Sequence, residues 1–194
     1  MALTLLLASK SPRRSDLLTR AAIPFRTVEP DITERADVHL TLGELTSWNA
    51  LRKGMVVARA HPQEVVLAAD TLVALEGELI GKPVDFTEAA RFLRKLSGNV
   101  HQVCSSVFIA HLAEARMIVF QEVTSVRFKR LSEAHIHDYF KRVNPLDKAG
   151  AYAAQGHGSE IIAEIRGSYS NVVGLPMERT LTTLASFGIR PALA

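Results

Sequence analysis

The pattern of apolar and polar positions opens on a short strand. Leu3 to Ala8 is apolar apart from Thr4 and reads as a buried strand. Ser9-Lys10-Ser11 is a polar loop. Ser11-Pro12 then marks a helix start, a serine N-cap ahead of proline at the first helical position. Leu17, Leu18, Ala21 and Ala22 give an apolar stripe to a helix over about 12–22. Ile23 to Val28 is a short strand, and Glu29 to Leu40 an irregular acidic loop with Glu29, Asp31, Glu34 and Asp37. Thr41 and Glu44 have capping-box spacing and open a helix to about Ala60. Leu45, Trp48, Leu51, Val56 and Ala60 approximate its apolar face.

Val65 to Leu75 is the most apolar stretch and predicts a central strand buried on both faces. Glu76-Gly77 forms a tight turn, and Glu78 to Ile80 returns as a strand. Asp85 and Glu88 have capping-box spacing at the head of a helix to Leu96, with Gly98 as its stop. Val100 to Leu112 and Arg116 to Arg130 are β-rich runs joined by three residues, an antiparallel pair. Ser132 caps a helix through about Arg142. Ile161 to Ile165 is a short strand, and the last helix starts near Pro176 and ends before Gly188. Parallel and antiparallel signals together predict an α/β sheet with at least one hairpin extension.

A length of 194 residues suits one large domain or two small lobes. Hydrophobic content of 47% and charged content of 22% are ordinary for a globular protein with a substantial core. The net charge is a mild +3, and basic residues are scattered among acids, which argues against a surface for coating nucleic acid. A local basic pocket stays open. Cys104 is the only cysteine, so neither an intramolecular disulfide nor a cysteine-rich metal site is possible, and it reads as a small core residue. The first apolar run lacks a basic flank and is too short for a secretory signal, and no stretch reaches the roughly 20 apolar residues of a membrane span. The expectation is a cytoplasmic protein with no membrane partner.

Arg13 and Arg14 fall in the first turn of the first helix, where free amides and the macrodipole already make the end positive. Either an anion joins them, as at a phosphate site, or they are solvated beside an ordinary cap. Asp70 interrupts the most apolar strand, where a carboxylate is costly unless it is paired or bound. It is a functional acid or a turn aspartate between two strands. Lys53 lies mid-helix and by that position alone reads as a snorkelling surface lysine. Gly81-Lys82-Pro83 on its own is a common surface turn. Residues 145–158 and 166–176 are dense in glycine and polar residues and form shaped loops. His135 and His137, two apart on a helix, lie on different faces and make a poor metal pair. No Walker motif, dinucleotide fingerprint or nucleophile elbow is present. Several cations around one or two carboxylates suit phosphate ester or anhydride chemistry.

The motifs Leu-Ala-Ser-Lys-Ser-Pro-Arg-Arg (7–14), Ala-Ala-Asp-Thr (68–71), Gly-Lys-Pro (81–83), Leu-Ser-Gly (96–98), Asp-Lys-Ala-Gly-Ala-Tyr (147–152), Gln-Gly (155–156) and Gly-Ser-Tyr-x-Asn-Val-Val-Gly-Leu-Pro (167–176) resemble the Maf family, in family order and over nearly the whole chain. The resemblance implies a nucleoside triphosphate pyrophosphatase that splits a nucleotide into monophosphate and pyrophosphate with Mg²⁺ or Mn²⁺. It implies one domain over 1–194, an α/β fold with a mixed twisted sheet in two lobes flanking a cleft, like the inosine triphosphatases, and a homodimer. By the same resemblance Asp70 is the catalytic and metal-binding acid, and Ser9, Ser11, Arg13, Arg14, Lys53 and Lys82 bind phosphate or substrate.

Arg13, Thr71 and Gln155 match the family branch that resembles dTTP/UTP pyrophosphatases, and the amide of Gln155 suits a pyrimidine edge. By the resemblance, relatives carry a metal-binding acid where this chain has Thr33, flanked by Asp31 and Glu34; either Glu34 takes over with a small loop shift or the metal is held weakly. Gly54 stands where relatives have alanine, and Ala153-Ala154 where they have Gly-Ile, both structural departures. Two further readings remain beside the enzyme: a non-catalytic nucleotide-binding regulator of division or septum formation, and an RNA-binding module, which would bind with strong salt dependence.

Overall fold

The structure, a computed structural model, describes residues 4–33 and 40–192. Among them seven strands join in one mixed sheet: β1 (Leu5–Ala8), β2 (Phe25–Thr27), β3 (Val65–Leu75), β4 (Glu78–Ile80), β5 (Val100–His111), β6 (Arg116–Phe128) and β7 (Ile162–Arg166). Their order is β2-β1-β3-β5-β6-β7, with β4 paired to β3. The helices are α1 (Pro12–Arg20), α2 (Leu42–Ala60), α3 (Phe86–Leu96), α4 (Glu133–Phe140), α5 (Gly158–Ile161), α6 (Tyr169–Val173) and α7 (Met177–Ser186). The expected α/β class is what forms. Contacts divide the chain into two compact units, residues 1–70, 105–122 and 174–194 in the first and 71–104 and 123–173 in the second. No described helix is long and apolar enough to cross a membrane.

In the first unit β1 runs parallel to both β2 and β3, with Leu5 opposite Phe25 on one side and Val65 on the other. Alternation along the strands sorts their side chains onto two faces. Leu5, Leu7, Val65, Leu67, Val107 and Ile109 pack with Leu18 of α1 and Leu184 of α7. Leu6, Ala8, Val66, Ala68, Phe108 and Ala110 pack with Ala50, Val57 and Ala58 of α2. Coverage on both faces explains why β1 and the part of β3 from Val65 to Ala69 read as unbroken apolar runs. The chain passes from β1 through α1 to β2 on one side, then through α2 to β3 on the other. That reversal of strand order marks the carboxyl end of β1, which lies beside the middle of β3, as the place where open α/β sheets bind ligands.

The inward face of α2 departs from the apolar stripe expected of it. Trp48 and Val56 are 45% and 44% exposed, whereas Thr46, Asn49, Lys53 and Gly54 are buried. The buried face mixes Leu45, Ala50, Val57 and Ala58 with these polar and small residues, so the hydrophobicity template places Leu45 correctly and misplaces Trp48 and Val56. Gly54 has a packing cause: a Cβ there would lie 2.0 Å from Cδ1 of the fully buried Phe108 ring. Element ends are shorter than expected, with α1 ending at Arg20, β2 covering only 25–27 and α4 ending at Phe140. The α2 capping box forms as expected between Thr41 and Glu44. At α3 the Asp85 side chain accepts from Glu88 N, but the Glu88 carboxylate reaches past Asp85 to Val84 N, 2.9 Å.

In the second unit, Val73, Leu75 and Ile80 of the β3–β4 hairpin pack with Ala89, Leu93 and Leu96 of α3 and Ile136 and Tyr139 of α4. β7 pairs antiparallel with β6, with a register shift at Arg127/Phe128. β5 and β6 are neighbours joined by a four-residue connection, short enough only for antiparallel strands. Cys104 is buried, as a small core residue.

Candidate active site

Asp70 shares the strand parity of Val66 and Ala68, and so projects toward α2. It is only 3% exposed, and α2 meets it with two residues one turn apart. Lys53 Nζ lies 2.6 Å from Asp70 Oδ1, and Asn49 Nδ2 donates to Oδ2 at 3.3 Å. Asn49 and Lys53 are 1% and 7% exposed. Taking two charges out of water costs several kcal/mol per ion, recovered only through close pairing and further hydrogen bonds. Here both carboxylate oxygens have a donor. Lys53 is therefore not a snorkelling surface lysine: its helix lies on the sheet face that Asp70 occupies. Nor is Asp70 a turn aspartate, because β3 continues through it to Leu75.

Ser9 follows directly on β1. Its Oγ accepts from Ser11 N at 3.2 Å and from Arg14 Nη1 at 3.1 Å. Arg14 Nε donates to Gly174 O at 2.9 Å, and the side chain is buried. Ser11 is the N-cap of α1 by backbone position, yet its hydroxyl makes no cap bond. Arg13 is half-buried in the first turn. The first unit thus brings Ser9, Arg14, Lys53 and Asp70 to the carboxyl end of β1, the middle of β3 and the start of α1. A helix N-terminus with two arginines has the chemistry to attract an anion, and Asp70 places a carboxylate on the adjacent strand.

The second unit holds Thr71, Lys82 and Gln155. Thr71 is half-buried, Lys82 is exposed, and Gln155 is half-buried in a loop outside any helix or strand. Gly150 N donates to Gly81 O at 3.0 Å, tying the loop that leads to Gln155 to the Gly81-Lys82-Pro83 turn. Gly150 has φ +73°, and a Cβ there would press on the Tyr152 ring and Val73. His101 Nε2 lies 2.8 Å from Tyr152 Oη. Burial lowers the His101 pKa to about 4 and raises those of Tyr152 and Tyr139, the latter to about 12.

Glu34, expected to bind metal, lies outside the described residues. Asp31 is exposed, and Thr33 O accepts from Arg52 at 3.0 Å. Among the described residues no group of three or more His, Cys, Asp or Glu gathers in metal-binding fashion. Sequence reasoning missed Asn49. Its spacing of four from Lys53 on one helix was the available signal.

A family model described as "Maf-like protein" matches residues 4–187. A protein of Symbiobacterium thermophilum is 45% identical over 184 residues, 95% of this chain and 94% of that protein. One of Akkermansia muciniphila is 44% identical over 186 residues, 95% of this chain and 97% of that one. A Bacillus pumilus protein is 41% identical over 187 residues, 96% and 98% of the two chains. All three are named dTTP/UTP pyrophosphatase. Among solved structures, the Ham1 protein of Staphylococcus aureus matches with TM-score 0.43 and 17% identity, over 64% of this chain and 71% of that one.

Proposed function

Because the chain belongs to the Maf-like protein family, we propose that it is a nucleoside triphosphate pyrophosphatase acting on dTTP and UTP, releasing the monophosphate and pyrophosphate. The observation that carries this reading is the near full-length similarity to relatives of that name, joined to a buried, doubly held acid at Asp70. A purely regulatory nucleotide-binding role is not favoured, since those relatives bear an enzyme's name.

In this reading Asp70 orients the attacking water and takes its proton as the water oxygen approaches the α-phosphorus. Lys53 and Asn49 hold the carboxylate in place from opposite oxygens. Arg13, Arg14, Lys53 and Lys82 neutralise the pyrophosphate leaving group, with Ser9 and Ser11 beside it. Gln155 reads the pyrimidine edge, and Arg13 and Thr71 accompany that preference.

The residues fit a divalent cation such as Mg²⁺ or Mn²⁺. Mg²⁺ binds through one or two carboxylates plus substrate phosphate oxygens, and Asp70 Oδ2 faces a neutral amide at a long 3.3 Å that a cation can displace. Asp70 would hold it, with Glu34 as a second acid. When bound, the cation neutralises phosphate charge and polarises the reacting phosphoryl group. We also take the protein to be a cytoplasmic homodimer, the latter testable by sedimentation.

Pyrophosphate release across a panel of nucleoside triphosphates, with Mg²⁺ or Mn²⁺, tests the function. dTTP and UTP lead the panel, and Asp70→Asn loses about 10²-fold or more in kcat. Near-wild-type turnover by Asp70→Asn overturns the assignment of that residue, and no release from any nucleotide overturns the function.

A further inference from the structure

Residues 152–155 form no helix or strand, so their backbone groups need partners from elsewhere. Aromatic side chains hold three residues in succession. Tyr152 Oη lies 2.8 Å from His101 Nε2, and its ring meets Phe128 and His101 edge-on at 4.8 and 5.4 Å. Tyr139 Oη, on α4, accepts from Ala153 N at 3.0 Å and donates to Ala153 O at 3.4 Å. Tyr169 Oη, on α6, donates to Ala154 O at 3.2 Å. The next residue is Gln155.

Three anchors from three elements, placed on three consecutive residues, exceed what a loop needs merely to close. Tyr139 is the strongest, because one hydroxyl takes up both polar groups of Ala153 while its ring is 1% exposed in the core. A glutamine reading a base edge must present its carbonyl and amide in one orientation. We infer that Tyr139, with Tyr169 and the His101–Tyr152 pair, sets the position of Gln155 and so determines nucleobase preference, without touching the nucleotide. The inference rests on the reading of Gln155 as the base-reading residue, and it adds the residues that give that side chain a fixed place.

Tyr139→Phe keeps the buried ring and removes both bonds to Ala153. Tyr169→Phe, at a ring 50% exposed, removes the bond to Ala154 at a site where loss of folding is not in question. Each is compared with Gln155→Ala and with the Tyr139→Phe/Gln155→Ala double variant. The readouts are kcat and KM for UTP and GTP by pyrophosphate release. Tyr139→Phe raises KM for UTP and cuts the UTP-over-GTP preference roughly tenfold, with kcat within about twofold, from the loss of two hydrogen bonds. Tyr169→Phe moves the preference the same way by less. The double variant is no less selective than Gln155→Ala, because the tyrosine acts through the glutamine.

Unchanged preference in Tyr139→Phe and Tyr169→Phe, while Gln155→Ala loses it, overturns the inference and leaves the proposed function standing. A uniform fall in kcat for both nucleotides shows a merely structural role and overturns it too. Unchanged preference in Gln155→Ala removes the reading beneath it.

Discussion

Replacing Gly54 by alanine tests how closely α2 must approach the sheet. The added Cβ would lie 2.0, 2.4 and 2.9 Å from Cδ1, Cε1 and Cγ of Phe108. Carbon atoms in contact prefer about 3.5–4.0 Å, so helix and ring must separate by about 1.5 Å. Phe108 is 0% exposed and has no empty space to move into. Overpacking of this kind costs about 1–3 kcal/mol, while glycine to alanine inside a helix returns about 1 kcal/mol. With a displacement of this size the upper end applies, for a net loss of about 2 kcal/mol, or about 4–8 °C in Tm.

Lys53 and Asn49 ride on the same helix, and both of their bonds to Asp70 stretch when it moves. A misplacement of about 1 Å can cost about 100-fold in rate, so kcat/KM falls at least tenfold even where the variant is fully folded. Thermal or urea unfolding and pyrophosphate release measure the two effects. Phe108→Leu relieves the clash, and in the Gly54→Ala background it costs less than in wild type, a coupling of about 1–2 kcal/mol. A Gly54→Ala variant more stable than wild type, as helix propensity alone requires, refutes the reasoning.

Three further outcomes follow from the site and its surroundings. Asp70→Asn and Lys53→Met each leave one buried group uncompensated and cost about 3–5 kcal/mol in urea unfolding, whereas the double variant recovers much of the stability but none of the turnover; a double variant as unstable as the sum of the singles contradicts this. His101 has its pKa lowered from 6.5 to about 4 by burial, so below pH 6.5 the unfolded chain binds a proton that the folded chain refuses. Stability therefore falls as pH drops from about 6.5 to about 4, by about 3 kcal/mol from this residue, and His101→Phe flattens that part of the profile; an unchanged slope in the variant removes His101 as the cause. Lys82→Ala lowers kcat/KM by about tenfold or more through lost leaving-group stabilisation, and an unchanged value removes Lys82 from the site.

The elements were largely legible in the sequence because their signals are local. The Ser11-Pro12 start, the Thr41/Glu44 box and the glycine stop after α3 all depend on residues a few positions apart. Asp70 was legible as a carboxylate inside an apolar strand. Its partners were not, because Lys53 and Asn49 meet it only when α2 lies on the same face of the sheet. That face mixes polar and small residues with Leu45 and Val57, so hydrophobic periodicity found Leu45 but also pointed to Trp48 and Val56, which are exposed instead. Gly54 was visible as a departure from relatives, but its cause, the ring of Phe108, lies on a strand about 50 residues on. Nothing local in the sequence around Tyr139 shows that its hydroxyl holds Ala153.

Water that attacks the α-phosphorus leaves its oxygen on the nucleoside monophosphate and expels pyrophosphate unchanged. Turnover of UTP or dTTP in ¹⁸O-labelled water, with mass analysis of both products, tests this attack most directly. Attack at the α-phosphorus places one labelled oxygen in the nucleoside monophosphate and none in the pyrophosphate. Label in the pyrophosphate, or a nucleoside diphosphate with inorganic phosphate as products, contradicts it.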